Sequence, residues 1–136
     1  MKTRFWPVML AGLTLLVSGF FAKAEAKMGE YLYYGFEPEF VTNYISSTRG
    51  KLGFVRVGME LMVQGSGDLE LVEHHEPLLR SAILEILGQQ TGGQVKSITG
   101  REDIREACLQ RINELLEQET GRPIVTNVLI TKYLYN

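Results

Sequence analysis

The sequence predicts an α+β domain, a mostly antiparallel sheet with two main helices on one face. Three observations predict it. Residues 54–64 alternate apolar and polar at a period close to two. Two later stretches, Leu69 to Leu87 and Ile104 to Leu116, repeat apolar residues at three- and four-residue spacing. A β-branched and aromatic run, Ile124 to Tyr135, closes the chain. Strands and helices are therefore segregated along the chain rather than alternating as in a parallel βαβ fold.

The chain opens on Lys2 and Arg4, then runs from Phe5 to Ala22 without a charge. Ala22-Lys23-Ala24 and Ala24-Glu25-Ala26 follow as two overlapping small-x-small patterns, so Ala22, Ala24 and Ala26 are the candidate signal-cleavage residues. A retained anchor is the competing reading. A helix over the apolar run spans ~27 Å, a little short of a hydrocarbon core of ~30 Å, and Gly12, Thr14, Ser18 and Gly19 dilute it. Either way residues 1–26 form a signal peptide or membrane anchor, and residues 27–136 form one domain on the far side. Cleavage after Ala24 removes Lys2, Arg4 and Lys23 and no acid, which leaves a mildly acidic domain.

Within the domain, Tyr31 to Phe36 and Phe40 to Ile45 read as extended segments. Pro38 lies between them, which makes the first an edge strand or arm. Ser46 to Lys51 reads as a turn. In the next strand Val55, Val57, Met59, Leu61 and Val63 share one face. The other face carries Arg56, Gly58, Glu60 and Gln64 with the apolar Phe54 and Met62. Gly65-Ser66-Gly67 ends it. Helical spacing begins at Asp68, through Leu69, Val72, Leu78, Leu79, Ala82, Ile83, Ile86 and Leu87. Pro77 either starts a second helix or kinks a single one, and Gly88 is placed as the residue after the helix.

Gln89 to Ile98 reads as a loop. Thr99 and Glu102 form a capping-box pattern for a helix reaching about Thr120, with Ile104, Cys108, Ile112 and Leu115 on its apolar stripe. Gly121 and Pro123 stop it. In the last strand Val128, Ile130 and Leu134 fall on one face with Lys132 as an exception, and Val125, Leu129 and Tyr133 on the other. Apolar residues on both faces mean either a central strand or one covered by a partner.

The composition excludes several chemistries. A formal net charge of −2 is no footprint for nucleic acid. The single cysteine, Cys108, allows no internal disulfide. Glu73-His74-His75-Glu76 is the one metal-like cluster, but neighbouring helical histidines point about 100° apart instead of converging as an i, i+4 pair does. Cys108 on an apolar stripe reads as an inert buried thiol. Gly92-Gly93 lacks the spacing of a phosphate loop and reads as a flexible loop. Glu102, Asp103 and Glu106 suit a helix N-terminus. The sequence therefore predicts no catalytic residue, metal site, cofactor or small-molecule substrate. Tyr31, Tyr33, Tyr34 and Phe36 read either as a sticky arm for a partner or as an edge strand packed on its own core.

Several stretches, in order, resemble the FliL family of flagellar basal-body-associated proteins. Pro38-Glu39-Phe40-Val41-Thr42-Asn43-Tyr44 is similar to the family's opening strand, and Phe54 to Val63 to its long apolar strand. Pro77-Leu78-Leu79-Arg80-Ser81-Ala82-Ile83 resembles its helix reading Pro-x-Ile-Arg-Asp-Ala-Ile. Thr99-Gly100-Arg101-Glu102-Asp103-Ile104-Arg105-Glu106, with Ile112-Asn113 downstream, resembles its later helix. Asn127 to Tyr133 is similar to its closing strand. Ile130 stands where the family has Phe. The resemblance covers Tyr31 to Asn136. It implies a stomatin-like (SPFH) periplasmic domain that assembles into a homo-oligomeric ring around the flagellar motor stator, touches the inner membrane through an uncleaved N-terminal segment, and supports motility and chemotaxis without being an enzyme. A free periplasmic binding module, an inhibitor or envelope chaperone, is the alternative.

Overall fold

The computed structural model describes residues 30–46 and 50–136. Three strands come first: β1 (Tyr31–Gly35), β2 (Phe40–Ile45) and β3 (Leu52–Gln64). Four helices follow: α1 (Gly65–His74), α2 (Glu76–Gly88), the short α3 (Gly92–Lys96) and α4 (Ile98–Thr120). Strand β4 (Asn127–Tyr135) closes the chain. The fold is α+β with an antiparallel sheet, as the sequence predicts.

The long strand β3 is the centre of the sheet. It pairs antiparallel with β1 (Tyr31 opposite Gln64), with β2 (Phe40 opposite Val57) and with β4 (Val128 opposite Leu61). Because β4 spans rows that β1 and β2 also occupy, β1 and β2 lie end to end along one side of β3 and β4 along the other. Pro38 sits in the break between them, where a strand cannot donate from proline. β4 is thus an edge strand among the described residues, not the central one.

Val55, Val57, Met59, Leu61 and Val63 point to one face of the sheet and are fully buried. Against them pack Val72 of α1, Leu79, Ile83 and Leu87 of α2, and Ile104, Cys108, Ile112 and Leu116 of α4. A strand presents every second residue and a helix every third or fourth, so these periods meet as one continuous core. α1 lies on β1 and β3, α2 on β2 and α4, and α4 on β4. Pro77 falls in the first turn of α2, so α1 and α2 are separate helices with His75 between them. Asn113 holds the return from α4 to β4. Its side-chain oxygen accepts from the backbone N–H groups of Ile124 (3.2 Å) and Val125 (2.9 Å), and its amide donates to the Val125 carbonyl (2.8 Å).

Several expectations are corrected. Gly65 begins α1 directly rather than ending β3 in a loop, and adopts a positive φ of 82° to make the turn. Gly88 is the last residue of α2, with Gln89 as its C-cap. The segment read as a loop contains α3, whose N-cap Thr91 forms a capping box with Gln94. The cap of α4 is Ser97, not Thr99: the Ser97 hydroxyl accepts from the Gly100 N–H at 2.8 Å. Glu102 turns instead to Arg105. Gly121, with φ 90°, caps the far end of α4 as the sequence predicts.

The last strand begins at Asn127 and holds a β-bulge. Ile130 pairs with Met59 and Lys132 with Gly58, so Thr131 is the extra residue. A bulge reverses which face later residues occupy. Tyr133 and Tyr135 therefore share the core side, where the Tyr133 hydroxyl donates to the Val95 carbonyl at 2.7 Å. Lys132 and Leu134 share the outer side. Leu134 is exposed, contrary to expectation, and Lys132 is no longer an exception.

Candidate interaction surface

Among the described residues the helices cover one face of the sheet and leave the other open. Residues opposite each other across an antiparallel ladder point to the same side, so the open face can be read row by row along β3. Gln64 lies beside Tyr31. Met62 lies between Tyr33 and Asn127, and Glu60 between Gly35 and Leu129. Gly58 lies beside Lys132. Arg56 lies between Val41 and Leu134, Phe54 beside Asn43, and Leu52 beside Ile45.

Two apolar ends flank a charged middle. At one end Ile45 and Leu52 are 62% and 68% exposed, with Val41, Phe54 and Leu134 beside them also exposed. At the other, Tyr31 and Tyr33 are about half exposed. Between them Glu39 accepts from Lys132 at 3.0 Å and lies 4.0 Å from Arg56. Lys132 reaches across because Gly58 has no side chain: a Cβ there would stand 2.8 Å from the Thr131 hydroxyl and 3.1 Å from the Lys132 Cβ. So many large apolar side chains gathered on one open face mark a candidate binding surface.

The residues singled out in the sequence are dispersed. Tyr31 and Tyr33 lie on the open face, while Tyr34 and Phe36 turn inward and stack edge-to-face at 5.3 Å. The aromatic segment thus divides between the two readings. His74 and His75 have rings 5.0 Å apart at 81° to one another, and His75 Nδ1 is 2.8 Å from the Leu71 carbonyl. Among the described residues no group of three or more His, Cys, Asp or Glu is placed to hold a metal ion. Cys108 is fully buried, and burial pushes its thiol up to about 12. Gly92 is buried beneath the Tyr44 ring in the first turn of α3, which makes the glycine pair a packed helix start rather than a flexible loop.

Glu102 and Glu106 both pair with Arg105, and the Arg105 hydrogen bond holds the Glu102 carboxyl below its usual range. Arg105 also donates to Asn127 at 2.8 Å and so ties α4 to the start of β4. These acids serve the fold. Ala22, Ala24 and Ala26 lie outside the described residues. No helix among the described residues is long and apolar enough to cross a membrane.

The charged row of Glu39, Arg56, Glu60 and Lys132 was not singled out from the sequence. Its one signal there is the mixed outer face of β3, where Phe54 and Met62 interrupt the polar set. The rest needs the strand register and the bulge.

Comparison with known proteins places this architecture. Residues 33–135 match the family described as flagellar basal body-associated protein FliL. Over 103 residues the chain is 30% identical to the flagellar protein FliL of Aquifex aeolicus (strain VF5), which takes in 76% of this chain. The chain spans 60% of that relative's length. The matched residues run from within β1 to the last residue of β4, and so the chain belongs to the FliL family of flagellar basal body-associated proteins.

Proposed function

We propose that this domain is a non-enzymatic accessory of the flagellar basal body, on the periplasmic side of the inner membrane, that binds and supports the motor stator units. The observation that carries this reading is the family match across residues 33–135. The open sheet face with its exposed apolar ends supports binding as the mode of action. In this reading residues 1–26 deliver the domain, as a cleaved signal peptide or a retained anchor. The domain is of the stomatin (SPFH) type, and its copies form a ring through head-to-tail contacts. The ring holds stators in their engaged state and so sustains motility and chemotaxis. To do so it binds the engaged form more tightly than the idle one, since equal affinity shifts nothing.

Placement tests this reading. An export-competent fluorescent protein inserted just before Glu30 leaves the folded domain and its packed C-terminus intact. Spots at flagellar bases are expected. Diffuse envelope fluorescence contradicts the reading and favours a free periplasmic binding module.

A further inference from the structure

The order of residues on the open sheet face has a symmetry of its own. Along β3 the outward side chains run Leu52, Phe54, Arg56, Gly58, Glu60, Met62, Gln64. Counted outward from Gly58, the cation Arg56 matches the anion Glu60 and the apolar Phe54 matches the apolar Met62, while at the ends of the strand Leu52 meets Gln64. We infer that this face pairs with the same face of a second copy, about a two-fold axis that crosses β3 at Gly58.

Two sheets packed face to face are related by an axis lying between them. With that axis perpendicular to β3, every row faces the row equally far beyond Gly58. Arg56 of each copy then faces Glu60 of the other, giving two ion pairs for one contact. Phe54 faces Met62, Leu134 faces Leu129, and Ile45 faces Tyr31. The axis row is the least bulky on β3, because Gly58 has no side chain. Lys132 lies in that row and faces its own counterpart, but each copy already holds its Lys132 against Glu39 at 3.0 Å, which offsets the repulsion.

Area and charge set what the contact is worth. Three strands wide and 13 residues long, the face projects roughly 600 Å², with spacings of about 4.8 Å between strands and 3.3 Å along them. Side-chain relief brings this near the ~800 Å² per partner of a standard interface. Exposed apolar ends supply most of the attraction. The Arg56–Glu60 pairs fix the register, since any slip along β3 sets like charges or unmatched charges opposite one another. This contact closes on two copies, so it is additional to any head-to-tail ring and does not depend on the flagellar reading.

The test uses the full-length chain in its own cells. Lys132→Cys places a thiol on the axis row, while native Cys108 is buried. A short membrane-permeant bis-maleimide is added, and the dimer fraction is read on a denaturing gel. A cross-linked dimer is expected. Adding R56E or E60R puts like charges at both pair positions and should lower the dimer fraction about tenfold or more. Combining R56E with E60R in one chain restores both pairs in reversed sense and should restore the dimer. Co-expression of the R56E chain with the E60R chain should give a heterodimer where each alone gives little. These two restorations also establish that the substituted chains fold. No dimer in the Lys132→Cys chain overturns the inference. So do single reversals that leave the dimer intact, as a contact of another register or a different face would, and so does a double variant no better than the singles.

Discussion

Arg80 does more for this fold than its place on a helix surface suggests. Its guanidinium donates to Glu76 one turn earlier at 2.6 Å and to the Pro38 carbonyl at 2.9 Å. It also lies over the rings of Phe40 and Phe36, at 5.0 and 5.6 Å from their centroids. One planar cation thus binds α2 to the break between β1 and β2, and lysine has neither the fork nor the plane to repeat this. Two charge-assisted bonds and a stacked ring contact are together worth about 2 kcal/mol or more. Arg80→Leu is expected to lower unfolding free energy by about that amount in urea titrations, and Arg80→Lys to recover less than half of it. The sequence marks Arg80 only through its family resemblance, because Phe36, Pro38 and Phe40 are far away in the chain.

Cys108 carries a second expectation at this scale. The unfolded chain releases the thiol proton near 9.0, the folded one near 12. Between these values the unfolded state holds fewer protons, so stability falls as pH rises from 9 toward 12. Burial raises the Tyr34 and Tyr133 hydroxyls too, which adds in the same direction. Urea midpoints should therefore drop between pH 8 and pH 10.5, and drop less in Cys108→Ala. A thiol reagent should label the native protein only at the rate at which it opens. Here the sequence was sufficient: a cysteine in step with Ile104 and Ile112 belongs to a buried helix stripe.

Elements were legible where period alone decides them. The core face of β3, the two helical stripes and the stop at Gly121 follow from spacing within one segment. The junction between α3 and α4 did not, for a steric reason. Thr99-x-x-Glu102 has the chemistry of a capping box, whereas Ser97-x-x-Gly100 offers no side chain to complete one. Yet Gly100 is required there, since a Cβ would stand 1.9 Å from the Gln94 carbonyl oxygen where α3 crosses the start of α4. The better local pattern lost to a tertiary contact. Ser97→Ala is expected to cost about 1 kcal/mol through loss of the cap, while Thr99→Ala, already inside the helix, should change stability by less than about 0.5 kcal/mol. Equal effects in thermal melts would contradict this assignment.

The bulge at Thr131 escaped the sequence similarly. Strict alternation left Lys132 on an apolar face, a discrepancy that marked the place but not its cause. One extra residue opposite Gly58 moves Lys132 outward to Glu39 and brings Tyr133 inward to Val95. Period-two reasoning has no term for such an insertion. The open sheet face was hidden for the same reason, because its charged middle brings together Glu39 ahead of β2, Arg56 and Glu60 of β3, and Lys132 of β4.

At the scale of the whole molecule, the domain is a sheet with helices on one side and a patterned open surface on the other. Among the described residues Cys108 is buried, and Arg105, paired with Glu102, ties α4 to the start of β4. The candidate site is therefore a surface whose role is set by what it meets. The family supplies the setting, the flagellar basal body, and the role we propose there is keeping stators engaged when the motor is loaded. Load is what separates this role from a mere presence at the motor. The decisive measurement is swimming speed as medium viscosity rises, in cells lacking the gene and in cells complemented with the full-length chain. The account predicts that the deletion strain loses speed increasingly as load grows and that complementation restores it. Equal speeds at every viscosity, with flagella still assembled, would contradict it.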